Sequence, residues 1–257
     1  MLKATLWLVL ACSALSSAPV FAADMTARQV TQLLFAARTG STPDLSNKDL
    51  SGLDLSGLDF KKAKLDRANL YGTDLAGANL SGASLKSARL DRATLIGANL
   101  SAADLTGASL LRPNVFADMK ASGEQPILTF AGARMAGANL NGRFDGVDFS
   151  HADLTSAVFG PRDPREEVLI SPMVSLAAAN FTGAILVGAD LASNRLENAK
   201  FVGANLTKAN LRGARLGGAD FSDANLDGAD LTGATMPGAN MRSARGLQSA
   251  IGLSTTR

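Results

Sequence analysis

The sequence predicts an all-β solenoid, a rod of short stacked strands, preceded by one helix and a cleavable leader. Three observations predict the rod. From Leu45 onward an apolar residue returns every five positions through 35 centres, of which 32 are Leu or Phe and three are Met135, Met236 and Met241. Two residues before the centre stands Ala in 25 of those 35 places, and the residue between is usually Asn, Asp or Ser. Aromatic residues make up only 5% of the chain while Gly is frequent, the composition of one small apolar unit used many times.

A helix cannot keep a period of five on one side, because such residues wander around its surface. Ala and its centre are two positions apart and therefore share one face of an extended strand. The remaining residues must turn a corner, and Asn, Asp, Ser and Gly tolerate the tight backbone that a corner needs. Short strands that all face one axis leave Leu and Ala stacked inside, and stacking supplies the burial that no single unit has.

In chain order, residues 1–22 read as a secretory signal: Lys3, an apolar run over 4–15, then a polar stretch with Pro19 that ends in Val20-Phe21-Ala22. An uncleaved anchor and a lipidated Cys12 are the alternatives; the short apolar run and its serines weigh against the first, and the early position of Cys12 against the second. Cleavage after Ala22 removes Trp7 and Cys12, the single Trp and Cys of the chain. It leaves 24 basic and 23 acidic residues, hence no disulfide framework, no thiol nucleophile and no strong field of either sign. No transmembrane span is expected after cleavage.

Residues 23–40 read as a capping helix. Thr26 and Gln29 have the spacing of a capping box, Val30, Leu33, Leu34 and Ala37 form one apolar stripe, and Gly40 and Pro43 stop it. Such a helix would lie over the first coil and hide its open edge. The solenoid is expected over 41–246, with a one-residue slip between Leu140 and Phe144. Two stretches break the rhythm: 111–129 with Pro113 and Pro126, and 160–175 with Pro161, Pro164 and Pro172. Proline blocks ladder pairing, so both are expected to leave the rod as loops. Residues 247–257, with Leu247, Ala250, Ile251 and Leu253, are expected as a cap or tail.

Segments such as Ala78-Asn79-Leu80-Ser81-Gly82 and Ala204-Asn205-Leu206 resemble the pentapeptide-repeat signature A(D/N)LXX, and the resemblance runs from Leu45 to Met241. It implies a right-handed quadrilateral β-helix with four repeats to a coil. Phe181, Phe201, Phe221 and Met241, at intervals of twenty, would then form one stacked column. At roughly 4.8 Å per coil, 35 repeats make nearly nine coils and a rod about 40 Å long.

No catalytic set is legible. His151, the only histidine, lies two residues after Phe149 at an outward corner, and with no mature Cys a zinc site is not expected. Asp74, Asp104, Asp190, Asp220 and Asp230 alternate with Asn and Ser at equivalent places, the pattern of a turn requirement and not of paired acid–base groups. Asn194 takes an inward place usually held by Ala and needs a hydrogen-bond partner there. The Gly-Ala-Asn and Gly-Ala-Asp triplets are repeat units without the strand–helix setting of a phosphate loop. Lys61, Lys62, Lys64 and Arg67 are interleaved with Asp59 and Asp66, a mixed face on which no nucleic acid is expected.

The expectation is therefore a non-catalytic structural or protein-interaction scaffold of the bacterial cell envelope, periplasmic or secreted, with no metal and no cofactor. Its partner would be an envelope protein, held by the loop that carries Arg162, Asp163, Arg165, Glu166 and Glu167. The resemblance implies one alternative, a DNA-mimicking topoisomerase protector of the quinolone-resistance group, whose members also have two loops. The leader and the near-neutral charge weigh against it. A polysaccharide-acting β-helix enzyme is the other alternative; it needs longer coils and clustered acidic and basic residues on one face.

Overall fold

The structure, a computed structural model, describes residues 23–37, 41–116, 127–160 and 174–253. The leader at 1–22 and the five charged residues from Arg162 to Glu167 lie outside the described residues.

Extended backbone is cut into single bridged residues five apart, and each pairs in parallel with a residue about one coil further on. Asp44 pairs with Lys64, Lys64 with Ser84 and Ser84 with Asp104, and this first face runs unbroken to Arg245. Columns that begin at Asp49, Asp54 and Asp59 make the second, third and fourth faces. Four repeats therefore complete one coil. Among the described residues, longer pairing occurs only on the second face, where β1 (Ser109–Leu111), β2 (Asn139–Asn141) and β3 (Val158–Phe159) form a parallel sheet in the register Leu110↔Leu140↔Phe159.

The hydrogen bonds show why five residues are enough. The N–H of a bridged residue donates backward, as Asn69 does to the Lys48 carbonyl at 2.9 Å. The N–H of the centre donates forward, as Leu50 does to Asn69 at 2.8 Å, and so does the corner N–H of Gly52 to Tyr71 at 2.9 Å. The residue two before the next centre spends its N–H on a carbonyl of its own turn, as Ala63 does on Phe60 at 2.8 Å. Corner residues such as Gly72 (φ 64°) and Lys62 (φ 60°) sit in the left-handed region, which explains the Gly-rich composition.

The centres point inward and are sealed: Leu50, Leu100 and Leu211 are each 0% exposed. The fourth face carries the expected aromatic column and extends it. Phe130, Phe149, Phe181, Phe201 and Phe221 stack at successive centroid distances of 5.2, 5.1, 5.0 and 4.8 Å, with rings within 8° of parallel.

Both interruptions are narrower than the prolines suggested. Asn114 still bridges Thr94, Val115 is buried as a further centre, and Leu128 and Thr129 rejoin the core and ladder. Pro113 occupies the place whose N–H serves only the local turn, so it removes no ladder bond. The extra residues thus lie between Phe116 and Ile127, at the corner from third to fourth face. On the other side, Ser175 bridges both Arg143 and Arg195, and Val174 fills an Ala place. That insertion lies between Gly160 and Val174, at the corner from second to third face.

The slip after Leu140 is a corner shortened by one residue. Gly142 makes it possible: its φ is 146°, and a Cβ there would come within 3.3 Å of the Arg112 Cα. The third face is bridged from Asp54 to Asn114 and again from Arg143 to Thr235, with no bridge joining Asn114 to Arg143. At the C-terminal end the ladder does not stop at residue 246: Ile251 bridges Asp230, one residue later than the regular spacing. Ile251 itself points out and is 56% exposed, while Leu247, Ala250 and Leu253 pack partly buried against the last coil.

Helix α1 spans Ala27–Ala37. Thr26 and Gln29 form the capping box: the Thr26 N–H donates to Gln29 Oε1 at 2.8 Å and the Gln29 N–H to Thr26 Oγ1 at 3.3 Å. Val30 and Leu34 are buried in the same apolar cluster as Leu45 and Leu50. Just before the helix, the Asp24 N–H donates to the Asp49 carbonyl and the Asp49 N–H returns a bond to Asp24 Oδ2, both at 2.8 Å.

Candidate functional site

A bridged residue stands just before a corner, so an Asp or Asn there can reach the N–H two residues on. Asp74 accepts from Ala76 at 2.9 Å, Asp190 from Ala192 at 3.1 Å and Asp230 from Thr232 at 2.9 Å. Asn does the same and adds a rung. Asn210 Nδ2 donates to Asp190 Oδ1 at 2.9 Å and Asn240 Nδ2 to Asp220 Oδ1 at 3.0 Å, each one coil apart. Asn above Asp bonds where Asp above Asp would repel.

At Asp220, Asp230 and Asp104 such bonds favour the charged carboxylate. Hydrogen bonds from Ser222 hold Asp220 below the usual carboxylate range, and those from Thr232 do the same for Asp230. At Asp104 burial pushes upward, but the Thr106 bonds and the Arg134 guanidinium outweigh it and the carboxyl is lowered. Carboxylates held this low are poorly matched to proton transfer near neutral pH.

A second device was not visible in the sequence. Ser84, Ser109 and Ser175 sit in bridged places, and no hydrogen bond runs from the corner that follows to their own side chains. Asp66, Asp91 and Asp145, each on a corner of the coil before, accept both the Ser hydroxyl and the corner N–H of Lys86, Leu111 or Ala177. The signal was present as an Asp just after the centre of the preceding coil, paired with Ser in the next. Asp91 is therefore a structural carboxylate although it is only 7% exposed.

Asn194 finds the partner its inward position requires, donating to the Phe159 carbonyl at 3.0 Å. His151 is exposed in the left-handed region (φ 57°), with its imidazole over Gly183. Among the described residues no group of three His, Cys, Asp or Glu side chains could hold a metal ion. Tyr71 is covered by Arg89, whose guanidinium lies 4.5 Å from the ring centre, so it offers no bare platform.

The structure gathers its irregular features around one face. The first insertion leaves the third face at Phe116 and the second joins it at Ser175, so the two flank it from opposite corners. Between them Arg143 lies 4.7 Å from the Phe116 ring centre and bonds Asp145 at 3.1 Å. Higher on the same face Arg195 and Arg215 share one carboxylate, Glu197, at 3.8 and 2.9 Å.

The family model for pentapeptide repeats matches residues 44–82, 73–110, 175–213 and 204–243. No curated protein matches the chain. Among solved structures, the chain is similar to HetL, a pentapeptide repeat protein involved in heterocyst differentiation regulation from the cyanobacterium Nostoc. The identity is 26% over 88% of this chain and 96% of that one, with a TM-score of 0.35. It is also similar to Rfr23 from the cyanobacterium Cyanothece, at 27% identity over 48% of this chain and 89% of that one, TM-score 0.41. QnrB1, a plasmid-mediated fluoroquinolone resistance protein, is 20% identical over 77% of this chain and 92% of that one, TM-score 0.34.

Proposed function

Because the chain belongs to the pentapeptide-repeat family, whose members form right-handed quadrilateral β-helices, we propose that it is a non-catalytic scaffold that presents a protein-binding surface in the bacterial cell envelope. The observation that carries this reading is the use already made of the outward polar residues. Asp74, Asp190, Asp220 and Asp230 serve corners, Asp66, Asp91 and Asp145 serve serines, and the lone His151 stands apart from them. A rod so built holds its shape, and these outward carboxylates are occupied by its own turns and coils. Helix α1 acts in this reading as the cap of the first coil, and the two insertions, including Arg162, Asp163, Arg165, Glu166 and Glu167, contribute to recognition.

Placement in the envelope rests on Lys3, the apolar run over 4–15 and Val20-Phe21-Ala22. Protein recovered from periplasm or medium should have an intact mass that begins at Ala23. A full-length chain retained in the cytoplasm would overturn the placement.

A further inference from the structure

Resting on the scaffold reading, we infer that the third face, from the foot of the first insertion to Arg215, is the recognition surface, and that its partner is an extended acidic polypeptide with apolar side chains. Position singles this face out first. The insertions occupy the two corners that border it and leave the corners between the fourth, first and second faces in regular five-residue register at those levels. It is also the one face whose ladder is interrupted, between Asn114 and Arg143.

Charge gives the partner its sign. Arg195 and Arg215 stand on adjacent coils, ~4.8 Å apart along the rod, with one carboxylate between them. Arg112, at the corner that leads into this face, is exposed and has no ion pair among the described residues. Among the described residues, Asp145 and Glu197 are the carboxylates of the face at these levels, and both are already engaged. Arginine in such a row matches carboxylates with a geometry that lysine lacks.

Exposed apolar area gives the partner its second property. Phe116 is 38% exposed under the Arg143 guanidinium, and Ile127, where the first insertion returns, is 65% exposed. An aromatic ring, an aliphatic residue and arginine together are the composition of a binding hot spot for protein. A purely anionic polymer would leave Phe116 and Ile127 unused.

The test is binding of the intact mature protein, at low ionic strength, to three labelled twelve-residue peptides: alternating Glu and Leu, alternating Lys and Leu, and alternating Glu and Ser. Dextran sulfate is the fourth probe. The Glu–Leu peptide should bind tightest, and the paired change Arg195→Glu with Arg215→Glu should weaken it at least tenfold. Phe116→Ser should weaken it severalfold, while Arg67→Glu, on another corner, should leave it unchanged. Circular dichroism should show every variant folded at the temperature of the binding measurement, with the Arg195/Arg215 variant melting lower than the parent because Glu197 loses both of its ion-pair partners. Binding of the Glu–Leu peptide that is absent, or equal in the Arg195/Arg215 and Arg67 variants, overturns the surface. Equal binding of Glu–Ser, or tighter binding of dextran sulfate with the same sensitivity, overturns the polypeptide identity. The scaffold reading fails on a different result, the lack of any partner crosslinked from the rod in its native compartment.

Discussion

Leu211→Asp should collapse the upper part of the rod, whereas its neighbour Asn210→Ser should shift the melting temperature only slightly. Leu211 is 0% exposed and, through the register Asp190↔Asn210↔Asp230, stacks between Leu191 and Leu231 in the coils on either side. A carboxylate placed there has no partner, and burying it costs several kcal/mol unless it protonates or the coil opens. In a linear stack each coil is stabilised by its neighbours, so one opened coil weakens both interfaces. Asn210 points outward; its loss removes the rung to Asp190 and the bond from Arg212, together worth about 1–2 kcal/mol at most in a solvated place. Circular dichroism during thermal unfolding separates the two. Equal shifts would refute the assignment of inward and outward positions.

The second large effect is expected at Phe149. Its ring touches four others: it stacks on Phe130 and Phe181 at 5.2 and 5.1 Å and meets Phe144 and Phe159 at 6.2 Å each. Removing a buried ring of this kind costs about 3–5 kcal/mol, because the rod cannot close the cavity without breaking ladder bonds. Phe149→Leu should cost much less, since Leu100 and Leu80 fill the same fourth-face column two and three coils below. Urea titration of Phe149→Ala and Phe149→Leu gives the comparison. Equal destabilisation would mean that the column depends on ring stacking itself and not on filled volume.

The repeat was legible because its cause is local. Every centre needs an apolar side chain and every corner a turn-tolerant one, so the period of five survives any change of neighbour. The edges of the insertions were harder to read. Pro113 signals a break by its missing N–H, yet at that place the N–H would have served only a turn. Val115, a β-branched residue outside the Leu/Phe pattern, hid one more centre. Of the candidate site, the five charged residues of the second insertion could be named from composition. What could not be read was that both insertions border the third face. That depends on counting residues between bridges, from Asn114 to Thr129 and from Val158 to Ser175, and so on a register that only the paired coils define. The Asp91–Ser109 device was hidden for the same reason: its partners are neighbours across coils and not along the chain.

The most direct measurement is site-specific photo-crosslinking in cells. A photoreactive side chain replaces Ala177, on the corner after the third face, or Val187, on the corner after the first. Both positions are outward and lie on neighbouring coils, so each variant should fold and be exported alike. A recognition scaffold whose contact surface is the third face should yield one covalent adduct from position 177 and none from position 187. Adducts from 187 alone, equal adducts from both, or none from either would contradict it.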